Sequence, residues 1–187
     1  LDPFRLPDAV RPSRYDVLLR PSLADATFAG SVRIDLRVDE TTDELILNAD
    51  ELTITSCEVD GAAATWRLEP ATERLFVKPA TPIAAGASVL TIEVDGVLND
   101  KLRGFYRSTY VDGDGVEQVI AATQMQATDC RRAFPCWDEP EFKAVFAVTL
   151  DVEDGLTAIS NSPEVARSTE HGRHIIRFAD TMVMSSY

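Results

Sequence analysis

The chain has 187 residues, 45% of them hydrophobic and 26% charged, which gives room for one domain with a sizeable core or at most two small ones. Its 31 acidic against 18 basic residues leave a net charge of −13, a surface that repels phosphate backbones and anionic lipid and argues against nucleic acid or a membrane as partner. No apolar run approaches the ~18–20 residues that span a bilayer.

At the start, Leu1-Asp2-Pro3-Phe4-Arg5 has neither a basic nor an apolar leader region, so no signal peptide is expected there. Period-two alternation then dominates. Residues 15–20 and 31–38 alternate apolar with polar side chains, as half-buried strands do. The second run puts Val32, Ile34, Leu36 and Val38 on one face and Arg33, Asp35 and Arg37 on the other. Further strands are predicted at 44–47, 52–59, 65–68, 75–77 and 89–94. They are divided by turn signals such as Asp60-Gly61, Pro79, Pro82, Asp95-Gly96 and Asn99-Asp100. An irregular segment, 123–140, interrupts the pattern. After it come strands at 145–150, 157–160 and 174–178, the last preceded by a hairpin-like Glu170-His171-Gly172-Arg173. Short strands at such intervals predict an all-β chain, a mostly antiparallel β-sandwich. The best helical candidate is a turn or two within 128–134, with Thr128 or Asp129 as N-cap and Pro135 ending it. No linker or repeat divides the chain, so 1–187 reads as one domain. Residues 181–187 look like the start of a further strand, and the chain is expected to be a piece of something longer.

Three cysteines, Cys57, Cys130 and Cys136, make no disulfide framework, because the count is odd and a domain of this size needs no staples. Cys130 and Cys136 lie too far apart for a C-x-x-C pair, and no second Cys or His cluster completes a metal site. Reduced, partly buried thiols of a cytoplasmic protein are the expectation. His171 and His174 have a spacing like that of zinc ligands, but no Glu lies between them and Gly172 suits a turn. A structural or solvent-exposed role is expected for both, and no metal ligand is assigned.

The segment 123–140 carries more varied chemistry than a β-framework needs, mounted between strands where binding residues usually stand. It reads Thr123-Gln124-Met125-Gln126, then Arg131-Arg132-Ala133-Phe134-Pro135-Cys136-Trp137-Asp138-Glu139-Pro140, then Phe142-Lys143-Ala144 and Phe146. In order along the chain there are also Leu6-Pro7, Pro12 with Tyr15 and Val17, Phe28 with Gly30, and Gly104-Phe105-Tyr106-Arg107-Ser108. Asn161-Ser162-Pro163 and Met184-Ser185-Ser186-Tyr187 follow. Together these residues closely resemble the N-terminal domain of aminopeptidase N-type zinc metallopeptidases, a family that includes the leukotriene-processing hydrolase and the antigen-trimming aminopeptidases. The similarity covers essentially the whole chain.

The resemblance implies a saddle-like β domain packed against a separate thermolysin-like catalytic domain. In the family that second domain carries the zinc, on a His-Glu-x-x-His helix with a downstream Glu, and a Gly-x-Met-Glu-Asn loop. Neither motif occurs in this sequence. The resemblance therefore implies zinc bound outside this chain, an inactive fragment, and peptide N-termini and the missing catalytic domain as partners. It also implies that Gln126 reaches the free α-amino group of the substrate and that Gln124 lines the pocket for the first side chain. The physical need is plain: an enzyme that counts one residue from an N-terminus must hold an ammonium at a fixed place, and an amide oxygen accepts from it. Read from the residues alone, two glutamines at i, i+2 are equally a solvated strand face. Arg131, Arg132, Asp138 and Glu139 are expected to form ion pairs and caps that hold the loop, and Phe134, Trp137 and Phe142 to be core. Two further classes stay open: a catalytically dead scaffold relative with the same domain, and an unrelated carbohydrate- or protein-binding β-sandwich.

Overall fold

Alternation of apolar and polar side chains sets most of the ladders in the computed structural model, which describes residues 5–187. Residues 1–4, on which the leader reading rests, lie outside the described residues. The strands are β1 Val10–Ser22, β2 Thr27–Val38, β3 Leu45–Asn48, β4 Leu52–Val59, β5 Ala62–Ala63, β6 Thr65–Glu69 and β7 Arg74–Lys78. They continue with β8 Gly86–Val97, β9 Gly104–Val111, β10 Glu117–Gln124, β11 Val145–Glu153, β12 Glu164–Glu170 and β13 Arg173–Phe178. An eight-stranded sheet runs β12-β13-β11-β1-β2-β8-β4-β5, a three-stranded sheet runs β3-β7-β6, and β9 and β10 form a hairpin. The all-β, mostly antiparallel architecture is as the sequence predicts. The one helical element among the described residues is a 3₁₀ turn, Cys130–Arg132, inside the 128–134 window.

In β2, Val32, Ile34, Leu36 and Val38 are buried while Arg33 and Arg37 are exposed. On the small sheet, β3 is buried throughout and β7 is buried except at Lys78. Leu45, Leu47, Leu75 and Val77 of that sheet share one core with Ile34, Leu90 and Ile92 of the large sheet. Each fully buried side chain of this size contributes ~1.5–3 kcal/mol through its removal from water. That burial is the main reason the two sheets face each other.

Three departures from the predicted pattern have physical causes. Residues 157–160 form no strand; Ile159 is 82% exposed, and the segment instead lines a groove. Alternation there was incidental, because no strand among the described residues pairs with it. Strand β12 carries no apolar alternation to detect, since all seven of its residues are exposed at the edge of the sheet. Residues 181–187 add one bridge, Ala144 with Met184, rather than a strand. The central pairing of β1 with β11 is the parallel one, setting Tyr15 beside Phe146. It lies next to the segment in which Glu139 accepts from Arg5 and Leu6. No helix among the described residues is long and apolar enough to cross a membrane.

Candidate functional site

The segment 123–140 hangs between β10 and β11, and its first glutamine closes the hairpin. Gln124 is the last residue of β10 and pairs with Gly104 of β9. Gly104 has φ +65, and a Cβ there would lie 2.6 Å from Cβ of Arg132, so both its conformation and its close contact require glycine. At the other end of the hairpin, Asp112 Oδ1 accepts from Asp114 N and Val116 N, and Oδ2 accepts from Gln118 Nε2 at 2.8 Å. The Gln118 bond, followed by the backbone donor of Val116, holds the Asp112 carboxyl below the usual range.

Strand β10 stops at Gln124, so the strand alternation that would place Gln124 and Gln126 on one face does not continue. Gln126 instead stands in a turn, closed where Asp129 N donates to Met125 O at 3.0 Å. The Gln126–Ala127 peptide is cis. Both glutamines are exposed, and neither side-chain amide has a hydrogen-bond partner among the described residues.

The rest of the segment is fixed by buried charge. Arg131 Nε donates to Asp138 Oδ2 and Arg131 Nη1 to Glu73 Oε2, both at 2.9 Å, while Ser186 Oγ donates to Asp138 Oδ1 at 2.6 Å. Arg132 lies between Asp129 at 2.9 Å, Asp50 at 2.6 Å, Glu51 at 2.8 Å and Glu73 at 3.4 Å. The contacts of its Nη1 are ion pairs by distance but lack hydrogen-bond alignment. Burial pushes the Arg132 pKa down, and Asp50, Asp129 and Glu51 more than reverse this, so the guanidinium stays charged. Glu139 accepts from Arg5 Nε at 2.7 Å and from Leu6 N. Asp129 occupies the N-cap position of the 3₁₀ turn without a capping hydrogen bond, since its carboxylate goes to Arg132. The turn ends at Ala133, ahead of Pro135.

Apolar packing completes the mount. Phe134, Trp137 and Phe142 are core, as expected. Trp137 N donates to Tyr15 Oη at 3.1 Å, and the Tyr15 ring stacks on Phe146 with centroids 4.8 Å apart. Cys136 exchanges backbone hydrogen bonds with Asn48, whose Oδ1 also accepts from Asp138 N. The charged residues of the signature are thus internal supports, leaving the two glutamines as its uncommitted polar groups of amide type.

Folding also gathers what sequence spacing separates. Donor atoms of Cys130, Cys136 and Asp138 lie within 4.8 Å of one another, all fully buried. They suit a hydrogen-bonded interior better than a cation. Both Asp138 oxygens are already engaged, the Arg131 guanidinium stands at 2.9 Å, and burial pushes the Cys136 thiol well up, keeping it neutral. Cys57, Cys130 and Cys136 are all free and fully buried, more enclosed than the sequence suggests. His174 is engaged on both ring nitrogens, by Thr169 and Asp154, and His171 is exposed in the turn before β13. None of these groups offers the open, partly solvated ligand set that a catalytic zinc requires.

Beside the hairpin runs a groove of about 660 Å³, whose lining includes Gln124, Met125, Phe134, Met184, Ser186 and Tyr187. Gln126 stands just outside that lining. The sequence reads 157–160 as a strand and 181–187 as the start of one, whereas the structure makes 155–161 and Met184, Ser186 and Tyr187 part of the groove wall.

The match to a known family model, described as the peptidase M1 N-terminal domain, spans residues 11–187. The chain is 38% identical to an aminopeptidase M1 of Arabidopsis thaliana, covering 98% of this chain and 22% of that protein. It is 40% identical to a puromycin-sensitive aminopeptidase of Caenorhabditis elegans, over 98% of this chain and 20% of that one. An alanine/arginine aminopeptidase of Saccharomyces cerevisiae is 39% identical, over 97% and 22% respectively. The chain thus spans about a fifth of the length of these curated relatives.

Proposed function

The chain belongs to the peptidase M1 N-terminal domain family, and on that premise we propose that it is the substrate-anchoring domain of a zinc aminopeptidase. The whole protein removes single residues from peptide N-termini. Its catalytic domain, with the zinc, lies beyond residue 187. The chain's own candidate donors do not fit that metal, so no step of the reaction is assigned to a metal held here. Three free, buried thiols accord with a reducing, cytoplasmic setting.

Gln126 holds the substrate ammonium through its amide oxygen, and Gln124, on the groove, contacts the first side chain. The observation that carries this reading is the contrast within 123–140. Arg131, Arg132, Asp138 and Glu139 are consumed internally, whereas Gln126 has no side-chain partner among the described residues and stands in a turn whose Asp129 is held by Arg132. An acceptor without an internal partner is free to take one charge-assisted hydrogen bond from an ammonium.

A hydrogen bond to a charged group contributes about 1.5–3 kcal/mol, so Gln126→Ala in the full-length enzyme should lower kcat/KM roughly 10- to 150-fold. Gln126→Glu should retain most activity, since a carboxylate accepts the same bond and adds attraction. Gln124→Ala should change the preference among first residues. Substrates with free and acetylated N-termini are compared; unchanged kinetics of Gln126→Ala on the free amine would exclude the anchoring role.

A further inference from the structure

The turn that carries Gln126 is tied to the main framework by Met125, packed against the core, and by one charged side chain. Asp129 N closes the turn on Met125 O. The Asp129 carboxylate accepts from Arg132 Nε at 2.9 Å, and Arg132 N donates back to Asp129 O at 3.1 Å. The far end of the same guanidinium sits against Asp50 and Glu51, in the turn between β3 and β4, and against Glu73, in the turn between β6 and β7. Glu51 and Glu73 have φ of 54° and 52°, a left-handed conformation that side-chain-bearing residues seldom adopt. Both supply carboxylates to the arginine pair. The backbone side of Arg132 meets Gly104, the pairing partner of Gln124. One buried residue therefore touches the supports of both glutamines.

We infer that Arg132, acting through Asp129, is a positioning residue that sets where Gln126 meets the substrate amine; this rests on the anchoring role proposed for Gln126. Residues 126–128 are exposed and have few apolar contacts to hold them, the condition under which a loop opens cheaply. An amide–ammonium hydrogen bond is directional, so a displaced turn loses it even with Gln126 present. A planar guanidinium gripped by several carboxylates is a stiff strut, which a lysine in its place would not be.

The test uses the full-length protein carrying this chain. Asp129→Ala cuts the strut from the turn while Arg132 keeps Asp50, Glu51 and Glu73, and Asp129→Asn keeps an acceptor oxygen. Asp129→Ala should raise KM for free-amine peptides about tenfold, with kcat changed less than about twofold; the unfolding midpoint falls somewhat as well, because Asp129 is the hydrogen-bond partner of the buried Arg132 Nε. Asp129→Asn should restore most of the loss. In a Gln126→Ala background, Asp129→Ala should add nothing to KM, since both act on one contact. Additive effects on KM, an unmoved KM, or a kcat that falls together with the unfolding midpoint would each overturn the inference. If Gln126→Ala is itself silent, the anchoring reading fails first, and the comparison separates that failure from this one.

Discussion

Asp138 has no side-chain exposure, and its partner Arg131 is 10% exposed at 2.9 Å. Charges taken out of water this far are tolerated only while each satisfies the other. Arg131 also reaches Glu73, so the pair ties the signature to the turn before β7. Arg131→Met keeps the length of the side chain and leaves Asp138 buried without its cation. The expected cost is about 3–5 kcal/mol, read as a lower urea midpoint with an unchanged slope. A midpoint near that of the unaltered chain would mean that Ser186 and Asn48 suffice to hold Asp138. This residue-scale logic was partly legible in the sequence. So many charges in one signature predict internal ion pairs, but the partners Glu73, Asp50 and Glu51 come from turns more than 50 residues away in sequence and follow no local pattern.

Strands β2 and β8 pair along twelve positions, and Phe28 lies opposite Gly96. A Cβ at Gly96 would fall 2.2 Å from the Phe28 ring, which is buried and packs edge-on against Phe105 of the hairpin. Gly96→Ala should therefore displace an aromatic ring at the base of the β9–β10 hairpin, costing about 1–3 kcal/mol by overpacking. The control is Gly113→Ala in the β9–β10 turn, where an added Cβ meets nothing within 4 Å; it should stay within about 0.5 kcal/mol. Thermal unfolding of both variants checks this, and equal midpoints would show that the ring swings aside freely. At this scale, alternation placed 31–38, 52–59 and 89–94 inside strands correctly, because one face of each is core. It missed β12, which buries nothing, and gave no bounds for β9 and β10, whose burial does not alternate.

For the whole molecule, the ligand chemistry decides what the chain does alone. Its histidines are a turn residue and a ring held by Thr169 and Asp154, and the one thiol–carboxylate cluster among the described residues is sealed beside a guanidinium. The 187-residue chain should therefore show no hydrolysis of aminoacyl chromogenic substrates, with or without added zinc. Robust turnover abolished by a chelator would overturn both this expectation and the assignment of catalysis to another domain.

The sequence by itself determined the β class, the inward face of the best strands and the family, and it singled out the two glutamines proposed as the substrate anchor. Each is written in a local period or an ordered motif that one stretch of chain carries. Tertiary structure decided that Gln126 leaves the strand for a turn, since β10 ends where Gly104 meets Arg132. It also decided which carboxylates hold that turn, and that Cys130, Cys136 and Asp138 share one buried place. These depend on the parallel pairing of β1 with β11 and on turns brought together across the sheets. Such contacts join residues far apart in sequence, so no local pattern could have carried them.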